Sequence, residues 1–166
     1  MNEMDSIARY LQEHHLLLVT AESCTAGLIA ARLVDYPQAG EILDCAFVTY
    51  SPIAKQKCLG VSEETIRSHG LTSEEVSIEM AKGALAKSRA SVAIANTGVT
   101  EFMPGGPPAG TQCFAWMFGR DTESARIYSE TRRFIGGRNE IRSASADYAL
   151  LQLMRLHTQW QQKKII

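Results

Sequence analysis

The chain has 166 residues, of which 45% are hydrophobic and 21% charged, and this predicts one domain over residues 1–166 with a sizeable core. Its formal net charge is −1, with no long basic or acidic run, so the charge pattern does not favour binding to nucleic acid or to an anionic membrane. No apolar stretch approaches the roughly 18 residues that span a bilayer. Because the polar, acidic start is also unlike a signal peptide, we expect a cytoplasmic protein.

Helices and strands alternate in the predicted secondary structure. We expect an amphipathic helix around 7–11, a buried strand ending near residue 20, a helix from just after residue 23 to about 34, and a strand over 42–50. Helices over 52–58 and 62–70, a longer helix from residue 73 and a short strand over 92–96 are expected next. A loop rich in glycine and proline follows over 98–110, then strands over 111–118 and 123–131 around a turn at 119–121, and a long helix from about 136–140. This order predicts an α/β sheet with an antiparallel edge.

Ser23 lies between the first strand and the helix that follows it. A hydroxyl at this point meets unpaired backbone N–H groups and the positive end of a helix dipole. The same geometry can hold an anion or stabilise the oxyanion of an acyl-transfer reaction. The alternative is that Ser23 only caps the helix, as serine commonly does.

A second polar strand end contains Tyr50, Ser51 and Lys55. In an open α/β sheet, sites form where strands end and helices begin. A serine that attacks a carbonyl needs a base, and a desolvated lysine or a Lys–Tyr pair can serve. None of the four histidines lies in a stretch that resembles a strand end with an adjoining acid, so a Ser–Lys pair fits better than a Ser–His–Asp triad. The alternative is a solvated Lys55 and an ordinary strand-end Tyr50.

The four cysteines form no C-x-x-C pair, which argues against a zinc site and a disulfide framework. Cys24 is a rival nucleophile, because the pKa of a thiol can fall at a helix amino terminus. No histidine is positioned to pair with it.

Four stretches together resemble the CinA carboxy-terminal domain family, which includes the PncC-like nicotinamide-nucleotide amidohydrolases. They are T-A-E-S-C-T-A-G at 20–27, F-V-T-Y-S-P-I-A-K at 47–55, P-A-G-T at 108–111, and F-I-G-G-R at 134–138 leading to A-D-Y-A-L at 146–150. These stretches occur in the family's order, and the resemblance as a whole covers nearly the entire chain. The resemblance implies a three-layer α/β/α sandwich with a mostly parallel, mixed sheet.

The resemblance also implies an amidohydrolase of NAD salvage, which converts nicotinamide mononucleotide to nicotinic acid mononucleotide and ammonia with no metal or other cofactor. The family's catalytic residues correspond to Ser23, Tyr50 and Lys55. Ser23 would attack the carboxamide while neutral Lys55, directly or through Tyr50, takes its proton. Backbone N–H groups near Cys24 and Thr25 would hold the oxyanion. A homo-oligomer, with a dimer favoured, and a small-molecule nucleotide substrate are also implied, with no nucleic-acid or membrane partner.

Further substrate-binding candidates lie in the same stretches and in the loop after the 92–96 strand: Cys24, Thr25, Gly27, Asn96, Thr97, Gly98, Arg138 and Arg142. Guanidinium groups suit phosphate oxygens, and the two arginines share one helix face. The alternative is that they are simply exposed helix charges.

This chain departs from the family at two places. Glu101-Phe102 replaces a Gly-Pro of the family, and Ala26 stands where the family usually has glycine. A carboxylate near a nucleotide phosphate opposes binding by like charge. Two interpretations stay open: Glu101 points outward and activity is intact, or the chain hydrolyses another small amide or binds nucleotides without catalysis.

Overall fold

A five-stranded sheet forms the centre of the computed structural model, which describes residues 3–120 and 124–163. The strands are β1 (Leu18–Glu22), β2 (Leu43–Val48), β3 (Val92–Gly98), β4 (Thr111–Phe118) and β5 (Arg126–Arg133). The helices are α1 (Glu3–Glu13), α2 (Leu28–Val34), α3 (Pro52–Leu59), α4 (Glu63–His69), α5 (Glu74–Ala86) and α6 (Arg138–Lys163), with a 3₁₀ turn over Ala39–Glu41. None of the helices in these two ranges has both the length and the apolar character to cross a membrane.

The strand order is β2-β1-β3-β4-β5. β1 pairs in parallel with β2 and β3, whereas β4 pairs antiparallel with β3 and β5. Four strands therefore share one direction, and the predicted mixed α/β sheet with a late antiparallel pair is confirmed. β5 begins at Arg126, and the expected strand start at residue 123 and turn residue 121 lie outside the described residues.

Apolar side chains cover both faces of the sheet and make three layers. Ile94, on one face, packs in a core with α1, α2 and α6, and the neighbouring Ala93 and Ala95 face α5 on the other side. This division follows from the two-residue period of a strand, whose successive side chains point to opposite faces. The expected α/β/α sandwich is confirmed.

Three helix starts follow the serine pattern in the sequence. Ser51, Ser62 and Ser73 each accept the backbone N–H three residues later and cap α3, α4 and α5. The expected helix directly after Ser23 is wrong in its start, because α2 begins at Leu28. Residues 23–27 instead form a turn between β1 and α2.

Candidate active site

The candidate site lies at the carboxyl ends of three parallel strands. β1 leads into Ser23, β2 leads into Thr49 and Tyr50, and β3 ends at Gly98. Because β1 lies between β2 and β3, Ser23 is flanked by residues from both neighbours. Its backbone N–H donates to the Asn96 carbonyl at 3.0 Å, which fixes the start of the turn against β3.

Lys55 is brought to Ser23 by the first turn of α3. Its Nζ lies 2.8 Å from Ser23 Oγ, and the two residues are only 2% and 7% exposed. The same nitrogen donates to the carbonyl oxygens of Thr49 at 2.8 Å and Tyr50 at 3.3 Å. This is the short, buried contact that a Ser–Lys mechanism requires.

Burial lowers the pKa of Lys55 to about 8, because a low-dielectric environment disfavours the charged form. A neutral amine has two N–H donors and one lone pair. Two carbonyl acceptors and one hydroxyl surround Nζ, so the carbonyls can take both N–H groups. The lone pair is then free to accept the hydrogen of the Ser23 hydroxyl.

Tyr50 contributes its backbone carbonyl to Lys55, whereas its side chain is 65% exposed. A proton relay through Tyr50 is not required, because Lys55 contacts Ser23 directly. The phenol lies near Arg138 at the rim of a cavity, which the ring helps to line. This position favours a contact with substrate over a role in proton transfer.

Glu22 is the residue that sequence reasoning missed. Its carboxylate is fully buried and accepts the N–H groups of Gly27 at 2.8 Å, Ile29 at 3.1 Å and Ala30 at 3.0 Å. An acidic side chain favours a helix amino terminus, and Glu22 already occupies the amino end of α2. The expectation that Ser23 meets these N–H groups is therefore wrong, and so is the alternative that Ser23 caps the helix. Gly27 is the last residue of the turn before α2, and it donates its N–H to Glu22.

Asn96 and Gln112 brace the turn from β3 and β4. Asn96 Oδ1 accepts the Thr25 N–H at 3.1 Å, and Asn96 Nδ2 donates to Gln112 Oε1 at 3.0 Å. The Thr25 N–H is therefore not open to an oxyanion, contrary to expectation. Among the described residues, no acceptor is found for the Cys24 N–H, which remains as the candidate oxyanion donor. Sequence reasoning also missed Gln112, although it is a polar residue in an otherwise apolar strand.

Cys24 is buried, and burial raises the pKa of its thiol. Its Sγ accepts a hydrogen bond from Gln112 Nε2 at 3.3 Å. A protonated thiol is a poor nucleophile, and Lys55 contacts Ser23. The local chemistry therefore favours Ser23 as the nucleophile.

Thr97 and Gly98 differ in their relation to the site. The Thr97 hydroxyl donates to the Leu71 carbonyl at 3.0 Å, and Thr97 does not line the cavity, because alternate residues of β3 face opposite sides of the sheet. Its expected contact with substrate is not supported. Gly98 does line the cavity, and a Cβ there would lie 2.3 Å from Gln112 Oε1, so only glycine fits without moving that side chain.

The two arginines have different partners. Arg142 Nε donates to the Cys24 carbonyl at 2.9 Å, and Nη2 donates to that of Thr25 at 3.3 Å. Arg142 therefore holds the turn that carries Ser23, and its expected role as an open phosphate ligand is not supported. Arg138 pairs with Glu101, and both residues line the cavity beside the turn. Glu101 therefore does not point away from the site, contrary to one of the two interpretations, and intact activity remains a prediction.

A cavity of about 150 Å³ opens beside the turn. Its described lining residues are Cys24, Tyr50, Gly98, Val99, Thr100, Glu101, Met103 and Arg138. A cavity of about 150 Å³ is large enough to bind benzene. The site therefore has room for one six-membered ring next to the residue that follows Ser23.

Comparison with known proteins gives one consistent family. The model of the CinA C-terminal domain matches residues 2–157. A CinA-like protein of Mycolicibacterium paratuberculosis is 41% identical over 158 residues, which cover 93% of this chain and 36% of that protein. A CinA-like protein of Syntrophobacter fumaroxidans is 40% identical over 154 residues, with 92% and 35% covered. The chain thus spans about a third of the length of these curated relatives.

Solved structures show the same fold. Competence damage-inducible protein A of Klebsiella pneumoniae superposes with a TM-score of 0.88 at 34% identity, with 95% of this chain and 96% of that chain covered. The competence/damage inducible protein CihA of Agrobacterium tumefaciens gives a TM-score of 0.83 at 34% identity, with 95% and 97% covered.

Proposed function

We propose, since the chain belongs to the CinA C-terminal domain family, that it is an amidohydrolase that converts nicotinamide mononucleotide to nicotinic acid mononucleotide and ammonia. One observation carries this proposal: the buried Lys55 Nζ lies 2.8 Å from Ser23 Oγ. A hydroxyl with a desolvated amine at this distance is an activated nucleophile. The nicotinamide ring matches the size of the cavity, and its carboxamide supplies the carbonyl.

Acylation begins with attack of Ser23 Oγ on the carboxamide carbon. Neutral Lys55 takes the hydroxyl proton as the new C–O bond forms, and the carbonyl oxygen becomes an oxyanion. The Cys24 N–H is the backbone donor available to that oxygen. The lysine is surrounded by carbonyl oxygens, which stabilise the ammonium while it holds the proton.

The tetrahedral intermediate then breaks its C–N bond. Lys55 returns the proton to the departing nitrogen, so ammonia leaves and an ester to Ser23 remains. Water then attacks the ester carbonyl with Lys55 again as the base. The proton passes to Ser23 Oγ as the C–O bond breaks, which releases the carboxylic acid and restores the enzyme.

An ammonia assay with nicotinamide mononucleotide tests the proposal. We expect release by the unaltered protein and loss of release in Ser23→Ala. Ser62→Ala is the matched control, because Ser62 caps α4 outside the site and its loss affects stability alone. Release that persists in Ser23→Ala but is lost in Cys24→Ala would instead identify the thiol as the nucleophile.

A second candidate is hydrolysis of another small amide. It is favoured by the cavity volume of about 150 Å³, which is below the roughly 300 Å³ at the lower end of common ligand pockets. Screening small aromatic carboxamides by the same assay distinguishes the two. Nucleotide binding without release of ammonia from any amide would favour a non-catalytic binding protein.

We also propose that the chain forms a homo-oligomer, most simply a dimer, as the family resemblance implies. Light scattering of the purified protein tests this directly. A mass that corresponds to a single chain at all concentrations would contradict it.

A further inference from the structure

Glu101 pairs with Arg138, the only arginine among the described residues that line the cavity. Its Oε1 accepts hydrogen bonds from Arg138 Nη2 at 2.9 Å and from Arg138 Nε at 3.2 Å. The Arg138 side chain is 50% exposed and the Glu101 side chain 66% exposed. Ion pairs this exposed contribute little to stability, so a ligand can separate this pair without unfolding the site.

The cavity offers no other described charge to an anion. Among its eight described lining residues, Arg138 and Glu101 alone are charged at neutral pH, and their formal charges cancel. Arg142 is already bonded to the carbonyls of Cys24 and Thr25. A phosphate that reaches this rim must therefore compete with the Glu101 carboxylate for Arg138.

The size of the cavity brings a nucleotide's phosphate towards this pair. A single ring fills a cavity of about 150 Å³, so the ribose and phosphate of a nucleotide must extend past the rim. Guanidinium groups bind phosphate oxygens through paired N–H donors. After a phosphate displaces the Glu101 carboxylate from Arg138, that carboxylate remains on the loop between β3 and β4, close to the rim. It then repels the phosphate, which carries close to two negative charges.

We infer that Glu101 determines specificity at this site: by competing for Arg138, it weakens binding of phosphorylated ligands relative to the corresponding nucleosides. The inference rests on the proposed function, because it takes the ring of a nicotinamide compound as the group in the cavity. It predicts that removal of the Glu101 charge improves binding of the nucleotide much more than binding of the nucleoside.

Calorimetric binding tests this without turnover. In the Ser23→Ala background, where neither ligand is consumed, nicotinamide mononucleotide and nicotinamide riboside are titrated separately. The measured quantity is the ratio of the nucleoside to the nucleotide dissociation constant. We expect Glu101→Gln to raise that ratio about five- to tenfold, as expected for removal of one charge near a dianion. The gain should shrink in about 0.5 M salt, because exposed charges are screened.

Two further variants give the test its controls. Glu64→Gln removes an exposed carboxylate that is paired with Arg67 outside the cavity, and it should leave the ratio unchanged. Arg138→Gln combined with Glu101→Gln should abolish the gain, because the phosphate then has no guanidinium to occupy.

An unchanged ratio in Glu101→Gln would overturn the inference. A gain that persists when Arg138 is also replaced would overturn it too, and so would failure of both Glu101→Gln and Glu64→Gln to bind either ligand. Absence of ammonia release by the unaltered protein, together with a raised ratio in Glu101→Gln, would overturn the proposed function but support this inference. The two failures are therefore distinguishable.

Discussion

Lys55 and Ser23 are 32 residues apart in the chain, yet their side chains form a hydrogen bond of 2.8 Å. Ser51 caps α3 and Pro52 is its first residue, which places Lys55 at the end of the first turn, one turn after the cap. Since β2 lies beside β1 in the sheet, this turn faces the end of β1. The pairing of two parallel strands therefore sets the distance between the proposed base and nucleophile.

Replacing Lys55 by arginine should reduce ammonia release by about 10² to 10⁴, the usual contribution of a general base. Arginine keeps a positive charge and a long side chain, but it stays protonated at neutral pH. Lys57→Arg is the control, because Lys57 is exposed on the same helix and should retain full activity. Activity in Lys55→Arg equal to that of the control would exclude Lys55 as the base.

The rate should rise with pH through about 8. Because burial lowers the pKa of Lys55 to about 8, about a tenth of this amine is neutral at pH 7 and about half at pH 8. Only the neutral form accepts the Ser23 proton, so kcat/KM increases with pH and levels off above pH 9 or so. A rate profile for nicotinamide mononucleotide measures this, and a profile that falls over pH 7–9 contradicts a lysine base.

Glu22→Gln should destabilise the protein by about 1–3 kcal/mol, the cost of leaving a buried partner unsatisfied. Both carboxylate oxygens of Glu22 accept N–H groups, whereas glutamine offers one oxygen and one NH₂ donor that opposes an N–H. Denaturant unfolding gives the free energy of unfolding. Glu41→Gln is the control, because Glu41 is exposed and substitutions at such sites usually change stability by less than about 0.5 kcal/mol.

Ala26→Gly should stabilise the fold by about 0.5–1 kcal/mol. Ala26 has φ of +49°, a left-handed conformation that costs a residue with a Cβ about 1–2 kcal/mol. Glycine removes that strain but adds some entropy to the unfolded chain. Thermal unfolding measures the change as a rise in Tm. Ala31→Gly, on the exposed face of α2, should do the opposite, and a fall in Tm for both variants would contradict this account of Ala26.

The order of helices and strands and the mixed α/β sheet could be predicted from the sequence, because they depend on local signals. The apolar pattern predicted β1 and β3, and the capping serines predicted the starts of α4 and α5. The motifs around Ser23 and Lys55 also led to the family that the comparisons support. The proposed roles of these two residues remain predictions for the ammonia assay.

The partners of Arg138 and Arg142 could not be predicted, since they depend on contacts between distant parts of the chain. Arg142 holds the turn and Arg138 pairs with Glu101 because of how α6 and the loops pack at this edge of the sheet. Glu22 bonds to N–H groups only five to eight residues later, and it reaches them because the turn over 23–27 brings the start of α2 to the end of β1. A sequence pattern states which groups are charged. It does not state which opposite charge or backbone dipole lies within 3 Å or so, the usual length of a hydrogen bond, and that distance determines what each group can bind.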